Sequence, residues 1–84
     1  MEAFLAALNT LPFGTFEGQA YGRTYIVTRQ NVANGRGEKL VAEALDGSDY
    51  ISLNLYRLQS GVQLRLCEMP AAKVVAFVCD LTPL

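Results

Sequence analysis

The chain predicts an α+β fold: a two-layer sandwich of the form α-β-β-β-β-α, an antiparallel four-stranded meander with both helices on one face. Three observations predict it. Ile51, Leu53 and Leu55 alternate with Ser52, Asn54 and Tyr56, and after Ser60-Gly61 the residues Val62, Leu64 and Leu66 alternate with Gln63, Arg65 and Cys67. At Pro70 the apolar period switches from two to about 3.6, with Val74, Phe77, Val78 and Leu81 on one stripe. Turn dipeptides at Asn34-Gly35, Asp46-Gly47 and Ser60-Gly61 punctuate the chain at intervals of 12 and 14 residues, which suits a meander.

The first helix is predicted over residues 2–9. Phe4, Leu5, Leu8 and Leu11 stand at helical spacing, and Pro12 with Gly14 stops the pattern. Thr15 to Gly22 shows no sustained period and reads as a loop. Tyr21 to Gln30 is rich in Tyr, Thr, Ile and Val, which fit a pleated surface. Tyr25 and Val27 are expected to face the core there, although Ile26 leaves the opposite register open. Glu38 to Leu45 is strong in helix formers. The turns on either side favour a strand, because a helix of two turns is marginal alone.

Eighty-four residues make a single domain, 1–84, and 51% of them are hydrophobic. That fraction is high for a small monomer, which has much surface to cover. Some apolar surface is therefore expected to meet a partner. Seven basic and eight acidic residues are spread along the chain without a block of either sign. No nucleic-acid partner is expected from such a balance. The N-terminal segment, Met1-Glu2-Ala3-Phe4, matches neither a signal peptide nor a membrane span. Two cysteines are too few for a disulfide framework, so a cytoplasmic location with free thiols is expected.

The catalytic inventory is thin. Histidine is absent, which removes the commonest general base and metal ligand. Zinc spacings, P-loops and dinucleotide fingerprints are absent as well, so neither a metal nor a cofactor is expected. Cys67 has the best chemical prospects. It stands three residues before Pro70, where a helix N-terminus would favour the thiolate. Arg65 adds positive potential, and Glu68 opposes it. Cys79 lies twelve residues from Cys67. An intact helix would hold the two roughly 16 Å apart, against about 7 Å for a disulfide. Asp46 and Asp49 read as turn formers.

The sheet face away from the helices is expected to carry Thr24, Ile26, Thr28, Val41, Glu43, Leu45, Ser52, Asn54, Tyr56, Gln63, Arg65 and Cys67. Glu43 and Arg65 would form a cross-strand charge pair there. Tyr56, Arg65, Asn54 and Glu43 are the candidate binding residues of this mixed face.

At Tyr21-Gly22-Arg23, Glu38 to Leu58 and Cys67 to Val74 the chain resembles a family of short bacterial proteins without an established activity. Some members are labelled peptide methionine sulfoxide reductase. The family often reads Tyr, Glu and Gly where this sequence has Val41, Ala44 and Asp46. The label implies a nucleophilic cysteine, a role that falls here to Cys67. The Gly-Cys-Phe-Trp motif of one reductase class and the zinc cysteines of the other are missing.

Two functional expectations follow. The first is a non-enzymatic domain that binds a protein partner, or a second copy as a homodimer, through the outer sheet face. The alternative is a thiol-dependent enzyme acting through Cys67, such as a single-cysteine methionine sulfoxide reductase.

Overall fold

The computed structural model describes residues 2–66 and 69–84. In chain order they form α1 (Glu2–Asn9), β1 (Gly14–Ala20), β2 (Arg23–Val32), β3 (Gly37–Ala44), β4 (Tyr50–Leu58), β5 (Gly61–Leu66), α2 (Ala71–Asp80) and β6 (Thr82–Pro83). The strands make one antiparallel sheet in the order β5-β4-β3-β2-β1-β6. The class is α+β as expected, but the sheet has six strands rather than four.

The two additional strands have physical explanations. Residues 15–22, read as a loop, are mostly β1, closed onto β2 by the two-residue turn Tyr21-Gly22. Both turn residues have positive φ, 52° and 73°, the pattern of a primed hairpin turn that usually takes Asn or Gly first. Tyr21 adopts it at a cost of about 1–2 kcal/mol, and its N–H donates to Asp80 Oδ2 at 2.8 Å. Gly18 lies inside the strand because Leu81 Cδ1 would approach its missing Cβ to 2.8 Å. Strand β6 is two residues long, too short to register as a period.

Two expected hairpin turns are wider than two residues. Between β2 and β3 run residues 33–36, where Ala33, Asn34 and Gly35 all take positive φ. Between β3 and β4 run residues 45–49. Ser60 lies in a two-residue connection, Gln59-Ser60, with Gly61 opening β5. The contested segment 38–45 is strand up to Ala44, within β3, and Leu45 opens the turn that follows.

Register divides the residues between two faces. Tyr25, Val27 and Arg29 of β2, Glu38, Leu40, Ala42 and Ala44 of β3, and Ile51, Leu53 and Leu55 of β4 are buried. Cross-strand pairing sets Val27 against Ala42 and Ala42 against Ile51, so these residues share the inner face. Phe4 and Leu8 of α1 and Val74, Phe77 and Val78 of α2 join them in one core, so both helices cover this face. Phe77 meets Tyr25 edge to face, with centroids 4.8 Å apart. Helix α1 ends where Thr10 Oγ1 donates to the Ala7 carbonyl at 2.6 Å and Pro12 forbids another turn. Helix α2 starts after Pro70 and presents its apolar stripe to the sheet.

Gly37 is the close approach on the outer face. A Cβ there would lie 2.9 Å from the Tyr56 ring and 3.0 Å from the Leu55 carbonyl oxygen. The backbone oxygen cannot swing aside as a side chain can. Gly37→Ala is expected to lower unfolding free energy by about 1–3 kcal/mol, measured by urea denaturation. Gly37→Ala as stable as the parent chain would contradict this packing.

Candidate functional site

Three places combine polar side chains with surface. Two lie at opposite ends of the inner face, and the third is the outer face.

At one end Arg29 and Glu38 are only 4% and 3% exposed. Arg29 Nε donates to Glu38 Oε1 at 2.6 Å, and Arg57 donates to the second Glu38 oxygen. The Arg29 guanidinium also donates to the Leu11 carbonyl, and the Phe13 ring covers it with its centroid 3.9 Å away. Both oxygens of the one carboxylate are taken, and the two guanidiniums leave the cluster one positive charge in excess, on the side of the exposed Arg57. Burial acts to raise the Glu38 pKa, but hydrogen bonds from Arg29 and Arg57 outweigh it and hold the carboxyl below its ordinary range. The pattern was present in the sequence. Period two carries Tyr25 and Val27 on to Arg29, and Leu40 back to Glu38, across the 33–36 turn.

At the other end Asp49 gathers three partners. Tyr25 Oη donates to its Oδ2 at 2.7 Å, Lys73 Nζ to its Oδ1 at 3.0 Å, and Arg23 Nη1 lies 3.9 Å away. Burial acts to raise its pKa, and hydrogen bonds from Tyr25, Lys73 and the Tyr50 backbone reverse this to a net lowering. Burial, followed by the hydrogen bond to Asp49, raises the Tyr25 phenol. Asp49 is thus more than the turn former expected; it ties β2, the 45–49 loop and α2 together. Asp46 does behave as one, accepting the Ser48 N–H at 2.9 Å. An open cleft of about 650 Å³ lies beside Asp49, lined in part by Ser48, Tyr50, Met69 and Lys73. Ser48 has the Asp46 carboxylate as its neighbour, engaged by its own backbone N–H, and the Asp49 oxygens are committed to structural partners.

The outer face carries most of the expected residues in register, with Leu45 in the turn just after β3 and Cys67 outside the described residues. Across the sheet one row reads Arg65, Asn54, Lys39 and Gln30. The next reads Ser52, Val41, Thr28 and Thr15, and the third reads Tyr50, Glu43, Ile26 and Glu17. Tyr56 pairs with Gln63 and, on its other side, Gly37. Of the candidate binding residues, Asn54 and Arg65 are direct neighbours, with Tyr56 one row away. Glu43 stands two rows from Arg65, opposite Tyr50 and Ile26. The expected Glu43–Arg65 pair does not form; the strands pair Arg65 with Asn54 instead. A shallow hollow of about 420 Å³ lies among Tyr56, Leu58, Gln63 and Arg65, and another of about 300 Å³ among Ile26, Glu43, Ala44 and Leu45. Leu45, Tyr50 and Ile26 are 59%, 49% and 39% exposed. Lys39 and Tyr50 were missed as members of this face, although period two runs from Glu43 back to Lys39.

Cys67 and Glu68 lie outside the described residues, so the geometry a Cys67 nucleophile needs is not on view. Cys79 is a free, exposed thiol on α2. Among the described residues no group of three His, Cys, Asp or Glu side chains converges to hold a metal. No helix among them is long and apolar enough to cross a membrane. Comparison with protein-family models, with curated proteins and with solved structures finds no match.

Glu38 and Asp49 give stability a pH dependence of known sign. Both have folded pKa values below the unfolded values of about 4.3 for Glu and 3.9 for Asp. Their stabilisation is complete above the unfolded values and drains away as pH falls through the folded ones. Urea midpoints are expected to fall between pH 7 and about pH 3, and Glu38→Gln to flatten that fall. A midpoint constant across this range would contradict the assignment. Glu38→Ala strands a buried Arg29 charge and is expected to cost about 3–5 kcal/mol in the same measurement.

Proposed function

We propose that this protein is a small non-enzymatic contact domain that associates through the outer face of its sheet. One observation carries the reading. Both helices are committed to the inner face, while Ile26, Leu45 and Tyr50 stand exposed on the other. An exposed face combining large apolar side chains with a polar rim is the ordinary make-up of a contact surface. In the middle row Val41 and Thr28 are half-buried and Ser52 is buried, a low strip between the two outer rows that lets another surface approach closely.

The state of the polar groups points away from catalysis. The buried carboxyl of Glu38 and the largely buried one of Asp49 are neutralised by fixed partners, and a general base or nucleophile must be free to exchange its proton.

Amide spectra recorded from about 20 µM to about 1 mM test the reading, a range that brackets the weak affinities such a face supports. Concentration-dependent shifts are expected at Ile26, Val41, Glu43, Tyr50 and Ser52. Shifts confined to the helices or to the free edge of β5, or no shifts at all, would overturn it.

A further inference from the structure

We infer that the partner of this face is a second copy of the chain, stacked sheet on sheet about a two-fold axis that crosses β3 at Val41. The inference rests on the reading of the outer face as a contact surface and adds who binds and in what register.

Charge placement carries it. Lys39 and Glu43 lie on the same face of β3, two residues to either side of Val41. Neighbours on one face of a strand are about 6.8 Å apart, so the two charges stand about 14 Å apart. They cannot meet within one chain, and among the described residues neither forms an ion pair. The polarity extends across the sheet. Arg65 shares the row of Lys39, and Glu17 shares the row of Glu43. One end of the face is basic and the other acidic, with Val41 midway.

A two-fold axis lying in the interface and running across the strands turns each end onto the other. Lys39 then meets the partner's Glu43, and Glu43 meets the partner's Lys39. Two equivalent pairs form from one self-complementary patch, as isologous contacts require. The axis passes along Ser52, Val41 and Thr28, whose small side chains suit the roughly 10 Å separation of stacked sheets. The same operation lays Asn54 over the partner's Tyr50 and Gln30 over the partner's Ile26, so these two exposed apolar side chains are each covered by an uncharged one. Stacked sheets rotate by about 30°, which displaces a residue 6.8 Å from the axis by about 3.4 Å. A lysine stem spans that displacement.

The contact area is modest. Four strands by three rows make roughly 400 Å² of face per copy, or of the order of 1,000 Å² of accessible surface buried in all. That is the lower end for a specific interface, and it suits a dimer dissociating in the micromolar range. The charge pairs lie toward the rim and chiefly fix orientation and register.

Charge exchange followed by sedimentation equilibrium tests the arrangement. Lys39→Glu and Glu43→Lys, each alone, place two like-charged contacts in the interface and are expected to weaken the dimer about 100-fold. An equimolar mixture of the two variants is expected to recover parental affinity as a heterodimer, and the double exchange K39E/E43K to recover it as a homodimer. Recovery on mixing also requires both variants to be folded. If neither single exchange changes the dissociation constant while Val41→Arg abolishes the dimer, the two-fold pairing is overturned and the outer face stands as the contact surface. If the parent chain is strictly monomeric, or Val41→Arg leaves the dimer intact as pairing through the β5 edge would, both the pairing and the reading of the face are overturned.

Discussion

The buried Arg29–Glu38 pair is the constraint on which the rest of the molecule depends. It joins neighbouring strands on the core side, and both members are almost wholly withdrawn from water. A slip of one residue between β2 and β3 would carry one partner to the opposite face and leave the other charge buried alone. Such a loss costs several kcal/mol, a large part of a small domain's stability. Apolar alternation defines which face is inner, and the pair makes that register costly to leave. Through the Leu11 carbonyl and the Phe13 ring it also seats the connection from α1 to β1. Asp49 does the corresponding work at the other end, fastening the start of α2 to Tyr25.

Pinning the inner face determines the outer one. Once Leu40, Ala42 and Ala44 point inward, Lys39, Val41 and Glu43 must point outward. The even spacing of a base, an aliphatic and an acid on one strand follows from the core. The two edges of the sheet are managed differently. Beside β1 lies β6, two residues long and ending in Pro83, a residue that discourages further pairing. Strand β5 is the open edge. Complementary charges on the face favour stacking there over extension of the sheet at β5.

Strands β2 to β5 were legible because alternating side chains signal two-faced burial directly. The outer face was legible for the same reason. Strand β1 was not, because Gly14 and Gly18 dilute its period and its turn uses Tyr21 where Asn or Gly is usual. Tertiary packing of Leu81 explains Gly18, and no local rule anticipates it. The 33–36 and 45–49 turns were located correctly but drawn too short, since Asn-Gly and Asp-Gly mark positive φ without fixing loop length. Asp49 is the instructive case. Its position beside a turn suggested a local role, whereas Tyr25 and Lys73 reach it from segments 24 residues away in either direction. Sequence spacing carries no trace of such convergence.

Contact between the Val41 side chains of two copies tests the central claim most directly. A dimer mixed from isotope-labelled and unlabelled chains reports it through isotope-filtered nuclear Overhauser effects, which arise only across the interface. The account predicts effects linking the methyl groups of Val41 to the partner's Val41, Thr28 and Ser52, and none at Val62, which lies away from the axis on β5. Intermolecular effects at Val62 with none at Val41 would contradict it.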